Sequence, residues 1–510
     1  MSAWLTLAEQ ENESCKGLNN QLTSVGPLTQ AKLKPKITPI QATSKERRWV
    51  PVEGVSTTGS SIVTAPVFVE EISDSARSAR FRAPPPQPAP CRALAVAAYR
   101  DMVSAFTLWS LAAWAVVVAL AWRFRSSSYA IFRAVLLGLQ VGFAGALFQR
   151  FHAVWPLFVY LHAAVFVQSL ALIRPKLRGP GYRTLVSIPA AFFSAGTLLA
   201  LPWVVLAAFG VRLPAVWLPY AVALVGVLQS LRSKEELVHL VVADGRSVPD
   251  LQRHRAHEPS IARPLSIIQI TDPHLGPFMS VERLRRICER AVERNPDLVL
   301  LTGDFLTMES QSDPALLGAA LAPLGALAGR CFACFGNHDH EAPETVRAAL
   351  EQAGVTLLVD DAREVMTAAG AVQIVGMDFV WRDRKEHLAR VCRELPRKAG
   401  HLRLVLLHDP GAFQHLPEGQ ADLALSGHTH GGQVGLVSLG LSWTLMRVFV
   451  KAPDHGFWAR GSDRLYVHRG TGHYGFPLRL GVPGEQSLLY VHAPLPFEQP
   501  VDSPLLAPAG

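Results

Sequence analysis

Five short polar clusters each follow an apolar run: Asp272-Pro273-His274, Gly303-Asp304, Gly336-Asn337-His338-Asp339, His408-Asp409 and Gly427-His428-Thr429-His430-Gly431-Gly432-Gln433. Carboxylates, imidazoles and an amide oxygen are ligands for borderline and hard divalent metals. Two ions about 3.5–4 Å apart need one group able to bridge them. A carboxylate such as Asp304 suits that bridge. The set supplies two incomplete shells, and a catalytic metal must keep a position open for water and substrate. Glycines before Asp304, Asn337 and His428 let the backbone turn sharply towards the ions. Singly, an Asp-x-His pair or a lone histidine after a strand is a weak signal; the ordered set with GNHD and GHTH both intact carries the argument.

The elements that must hold these clusters read as alternating strands and helices. Apolar runs predict strands over Leu265–Thr271, Leu298–Thr302, Cys331–Phe335, Val372–Gly376, Leu402–Leu407 and Leu423–Leu425, and helices over Ser280–Arg294, Pro343–Gly354 and Arg384–Lys398, with Ser280 as an N-cap. An α/β layered domain follows, its chemistry on loops at strand ends. Cys331-Phe332-Ala333-Cys334 has redox spacing, but in a strand its sulfurs point to opposite faces, so core packing is the expectation.

Upstream the composition is that of a membrane protein. The chain has 510 residues, 49% of them apolar, and between Met102 and Lys234 there is no Asp or Glu. Stretches near 104–122, 130–149, 152–173, 184–210 and 213–231 approach or exceed the roughly 17–25 residues that span a bilayer. His152 and His162 lie at or within these stretches without an acidic partner, so helix–helix hydrogen bonding is expected of them. The net charge of +8 resides largely beside these stretches and in the N-terminal arm, which fits anionic headgroups and not nucleic acid. Six scattered cysteines give no disulfide framework. The expected organisation is a disordered or dispensable arm over 1–100, with Met102 as a candidate start, then a transmembrane domain of four to five helices over 101–232. A connector over 233–263, a catalytic domain over 264–495 and a tail over 496–510 complete it.

The order D-x-H, G-D, G-N-H-D, H, G-H-x-H resembles the calcineurin-like metallophosphoesterase family over residues 264–495. The GHTHGGQ form, the stretches Arg469-Gly470-Thr471-Gly472 and Pro477-Leu478-Arg479-Leu480-Gly481, and the preceding apolar helices are similar to transmembrane proteins with a metallophosphoesterase domain. That subgroup is in turn similar to enzymes cleaving UDP-2,3-diacylglucosamine. The resemblance implies a four-layer α/β sandwich preceded by an all-α transmembrane domain. It also implies a hydrolase with two divalent ions (Mn, Fe or Zn), one held by Asp272, His274 and His430, the other by Asn337, His408 and His428, with Asp304 bridging. His338 would stabilise or protonate the leaving oxygen, Asp339 would orient His338, and Arg469 and Arg479 are candidate phosphate clamps. Phe305-Leu306-Thr307 stands where many relatives have a further Asp, and Pro483-Gly484-Glu485 replaces a more acidic or Pro-rich ending; neither removes a ligand.

The expected activity is hydrolysis of a phosphate ester or pyrophosphate in a phosphorylated lipid or nucleotide-sugar lipid, with the bilayer as partner, no nucleic acid, and a role in lipid metabolism. Lys and Arg in the short loops predict a multi-pass chain with a cytoplasmic catalytic domain. The competing reading is a membrane receptor or transporter whose soluble half only binds a ligand.

Overall fold

A computed structural model describes residues 89–242, 247–254 and 263–493. Most of the arm expected over 1–100, and all of the tail expected over 496–510, lie outside the described residues. The chain divides into two compact units, 1–102 and 103–510.

The helices are α1 (Ala89–Phe124), α2 (Ser127–Phe148), α3 (Trp155–Ala171), α4 (Pro180–Leu199), α5 (Leu201–Ala208) and α6 (Leu218–Ser230). By length and apolarity two runs can cross a membrane, Tyr99–Phe124 and Ser127–Ala171; a third counts if α4 and α5, bent by 43°, act together. The 45-residue run Ser127–Ala171 contains two helical arms, α2 and α3, joined through Gln149–Val154. The backbone leaves helical geometry at Phe151, Phe148 meets Phe158 with ring centroids 5.7 Å apart, and Tyr129 and Ala130 cluster with Leu172 and Ile173. A continuous helix would hold residues ten apart about 15 Å from one another, so α2 and α3 are antiparallel. His162 Nε2 lies 3.0 Å from Ser110 Oγ of α1, the interhelical bond expected of it.

Among the described residues thirteen strands follow: β1 (Ser233–Val241), β2 (Val248–Arg253), β3 (Leu265–Ile270), β4 (Leu298–Leu301), β5 (Cys331–Ala333), β6 (Thr356–Leu357), β7 (Asp361–Thr367), β8 (Gly370–Gly376), β9 (Leu402–Leu406), β10 (Leu423–Ser426), β11 (Gly456–Gly461), β12 (Asp463–Val467) and β13 (Gly484–His492). They form two mixed sheets, β1-β13-β3-β4-β5-β6 and β2-β11-β12-β10-β9-β8-β7. Leu265, Ile267, Leu300, Leu404, Leu425 and Leu489 pack between the sheets. The outer face of the first sheet buries α7 (Val281–Arg294), α8 (Pro314–Leu321) and α9 (Pro343–Gln352), and that of the second buries α10 (Arg384–Glu394). The result is a helix, sheet, sheet, helix order of four layers.

Local chemistry explains the pieces. In α7 the Ser280 hydroxyl accepts the Arg283 N–H, Leu284, Ile287, Cys288 and Ala291 face the core at helical spacing, and Asn295 ends the helix in the left-handed region. Cys331 packs in the outer core and Cys334 between the sheets, as alternation along a strand requires.

The segment expected as a polar connector differs from that expectation. Helix α6 ends at Ser230 and β1 begins at Ser233, pairing in parallel with β13 along its whole length. The catalytic domain is therefore joined to the helices directly. Gly226 of α6 lies against Leu478, the Ser230 hydroxyl accepts the Arg479 N–H (2.7 Å), and Gln168 of α3 donates to Glu309 (3.3 Å).

Candidate metal centre

The polar clusters all fall at the carboxyl ends of parallel strands: Asp272 and His274 after β3, Asp304 after β4, Asn337 after β5, His408 after β9, His428 and His430 after β10. Backbone strain collects there. Ten described residues other than glycine have positive φ, and five of them are Asp272, His274, Asp304, His428 and His430. Such strain persists only where the surroundings over-determine it, typically at functional sites. Two glycines permit the approach. A Cβ on Gly336 would sit 2.3 Å from Asp304 Oδ1, and one on Gly427 would sit 2.0 Å from Asp272 Oδ2.

The structure brings the candidate ligands into two groups. Asp272, His274 and His430 offer one donor atom each within a common 4.8 Å, and so do Asp304, His408 and His428. Nε2 of His274 and His430 are 3.2 Å apart, Nε2 of His408 and Nδ1 of His428 are 3.2 Å apart, and Asn337 Oδ1 is 3.2 Å from His408 Nε2. Donors about 2.1 Å from one ion stand roughly 3–3.5 Å from each other, so both groups fit a divalent cation. Asp304 Oδ2 lies between the groups, 3.6 Å from His274 Nε2 and 3.2 Å from His408 Nε2.

The electrostatics of three of the four histidines agree with that fit. Burial pushes His274 down to about 3, and burial together with the neighbouring His408 pushes His428 down to about 4. Burial also holds His430 well below the ordinary imidazole range. Neutral imidazoles offer a lone pair to a metal. His408 goes the other way: burial opposes its charge, but the Asp304 carboxylate outweighs burial and lifts it to about 10. The same contact keeps Asp304 below the usual carboxylate range against its own burial.

His338 is half-buried beside these groups. Its ring packs edge-on to His274 and Tyr474, and its Nδ1 lies 2.7 Å from Glu341 Oε1. Burial works against its protonation, yet the Glu341 bond and the Asp304 charge leave its pKa above the ordinary value.

Three expectations need correction. Asp339 does not touch His338: its carboxylate accepts the backbone N–H groups of Asp304 (2.7 Å), Phe305 (2.8 Å) and Gly336 (2.8 Å), pinning two ligand loops together. The group that orients His338 is Glu341, reached through the turn Asp339–Glu341. Sequence reasoning missed it; the i, i+3 spacing His338-x-x-Glu341 was the available signal. Arg479 is fully buried and spends its guanidinium on the carbonyls of His430 (3.0 Å), Arg469 (2.7 Å) and Gly472 (2.6 Å). Arg469 is buried between Glu236 (2.5 Å) and Glu485 (3.4 Å). Neither can clamp a phosphate; both brace the loop behind His430.

Comparison with known proteins places this geometry. A calcineurin-like phosphoesterase family model matches residues 265–432. The chain is 32% identical over 247 residues to phosphodiesterase YaeI of Escherichia coli, covering 47% of this chain and 87% of that protein. It is 29% identical to the uncharacterized metallophosphoesterase YkuE of Bacillus subtilis, covering 42% of this chain and 74% of that one. It is 28% identical to a transmembrane protein with metallophosphoesterase domain from Danio rerio, covering 43% of this chain and 52% of that one. The ligand-competent strand-end loops and these relatives agree: the chain belongs to the calcineurin-like phosphoesterase family and is a metal-dependent phosphoester hydrolase.

Proposed function

We propose a membrane-anchored phosphodiesterase with two divalent ions, Mn, Fe or Zn, acting on a phosphate ester or pyrophosphate in a lipid-linked substrate such as UDP-2,3-diacylglucosamine. The observation that carries the two-ion reading is the position of Asp304 Oδ2 between two groups of candidate ligands. Asp272, His274 and His430 would hold one ion, Asn337, His408 and His428 the other, and Asp304 both. When bound, the ions supply Lewis acidity towards the phosphoryl oxygens and a water acidic enough to act as nucleophile. The chain's own residues do the rest. His338 holds a proton at Nε2 for the leaving oxygen, Glu341 fixes the ring through Nδ1, and Asp339 keeps the Asp304 and Asn337 loops in register.

The lipid substrate is supported by proximity. Glu309 and Met308, five and four residues beyond Asp304, meet Gln168 of α3 and Arg125 at the end of α1, while Arg479 behind His430 bonds Ser230 of α6. A cleft resting on helix ends stands at headgroup level. A multi-pass arrangement with the catalytic domain in the cytoplasm is supported by charge. Arg123, Arg125 and the 174–183 loop share the helix end that carries the domain, whereas Arg150 lies at the opposite end. Hydrolysis of bis-p-nitrophenyl phosphate with added Mn²⁺ separates an enzyme from a ligand-binding receptor. Mass spectrometry of lipids extracted after incubation with and without the enzyme tests the substrate: unchanged lipids alongside turnover of the soluble ester would refute the lipid assignment.

A further inference from the structure

The loop between the GHTHGGQ cluster and β11 has the surface of a membrane-facing element although it belongs to the sheet domain. Among the described residues of 233–493, twelve large apolar side chains are exposed, and eight of them lie within 436–450. Leu439 is 74% and Phe449 78% exposed, with Leu441, Trp443 and Val448 beside them. The patch is built to be presented. Leu436 N–H donates to the Trp443 carbonyl (2.9 Å), Leu445 N–H to Val434 (2.8 Å), and the Thr444 hydroxyl to the buried Asp454 carboxylate (2.6 Å). A contiguous apolar surface held open by its own hydrogen bonds marks a binding face.

Charge and position identify the occupant. Residues 434–453 contain no Asp or Glu but include the exposed Arg447 and Lys451. Apolar side chains interleaved with cations, without acids, suit the boundary between anionic headgroups and acyl chains. The loop is also tied to the apolar helices, because Gln229 of α6 donates to the Ser438 hydroxyl (3.0 Å) and accepts the Gly481 N–H (2.8 Å). At its other end the loop leans on the metal centre: a Cβ on Gly432, two residues beyond His430, would lie 2.8 Å from Met446 Cβ.

We propose that the 436–450 loop dips into an anionic bilayer surface beside the cleft, so that the catalytic domain is seated on the membrane from two sides, by the helices and by this loop. The inference rests on the membrane-anchored reading above. Seating would hold the His430 side of the cleft at the depth of a lipid phosphate. A substrate whose phosphoester sits at the headgroup level then reaches the ions without leaving the bilayer.

The test uses the full chain, with Cys15→Ser and Cys91→Ser, reconstituted in phosphatidylcholine–phosphatidylglycerol nanodiscs. An environment-sensitive fluorophore is attached at Leu439→Cys, Phe449→Cys or, as a control on the remote strand β7, Met366→Cys. The expected result is a blue shift and quenching by shallow spin-labelled lipids at 439 and 449 and neither at 366. Equal water exposure at all three positions overturns the proposal. So does a blue shift at 439 and 449 that spin-labelled lipids do not quench, which would mean that protein covers the loop. Turnover of bis-p-nitrophenyl phosphate by the same samples separates the two readings: a wet loop on an active enzyme refutes the seating alone, and a quenched loop on an inactive one refutes the enzymatic reading alone.

Discussion

The helices and the two-sheet domain solve opposite burial problems. In α1 and α2, large apolar side chains such as Leu108, Trp122, Ile131 and Val135 face outward, while small or polar groups such as Ala121, Ser110 and Gln140 are buried between helices. In the sheet domain leucines fill the space between layers, and the buried polar groups gather at the carboxyl ends of the strands. Helices that turn large apolar side chains outward and bury hydroxyl and amide groups between them suit lipid; a sheet that buries acids and imidazoles at its strand ends suits ions. The 436–450 loop has the surface of the first region on the framework of the second.

The sharpest break in that comparison should come from the buried strand-end groups. Asp304→Asn or His428→Ala is expected to abolish phosphodiester hydrolysis, since each deletes a ligand at the crowded edge. Steady-state turnover with saturating Mn²⁺ checks it, and retained activity in Asp304→Asn would remove the bridge. His338→Ala should lower kcat by about 10²–10⁴-fold with bound metal unchanged, as for a positioned proton donor. Parallel loss of metal would make His338 a ligand instead. Glu341→Gln should lower kcat roughly tenfold through misorientation of His338, leaving metal content and thermal midpoint near normal.

Two smaller effects probe the joint between the regions. In Gly226→Leu the new side chain would start 2.9 Å from Leu478 Cδ1 and 3.1 Å from the Arg479 carbonyl. The expected cost is about 1–3 kcal/mol, read as a lowered thermal midpoint, because overpacked side chains and backbone cannot both give way. Glu485 accepts bonds from Tyr466, Ser487 and the Arg469 backbone; burial opposes its charge, but His468 and Arg469 outweigh burial and hold it at about 2. A depressed carboxylate contributes stability that is full above its unfolded value near 4.5 and lost as pH falls towards 2. Glu485→Gln should therefore flatten the acid limb of the melting profile; an unchanged limb would count against the pairing.

Much of this was legible in the sequence where burial is complete. Strands β3, β4 and β9 read correctly to within a residue because both faces are covered and the runs are mostly apolar. The metal-competent residues were legible because their order along the chain survives folding, although their distances were not. β1, Ser233–Val241, escaped because it is half-exposed and opens with Lys234, Glu235 and Glu236, which reads as linker. Its pairing with β13 is a contact across some 250 residues that no local pattern records. Arg469 and Arg479 differ from expectation for a related reason: an arginine's sequence neighbours do not say whether distant carboxylates or carbonyls will enclose it. Glu341 needed the turn to be known before its reach to His338 could be seen.

Metal analysis of the purified native chain tests the central claim most directly. Inductively coupled plasma mass spectrometry, on the same samples assayed with bis-p-nitrophenyl phosphate before chelation, after chelation and after Mn²⁺ is restored, should give two ions per chain, activity that disappears with them, and activity that returns with both. Full hydrolysis by a chain stripped of metal, or saturation of activity at one ion, would contradict the two-ion centre around Asp304.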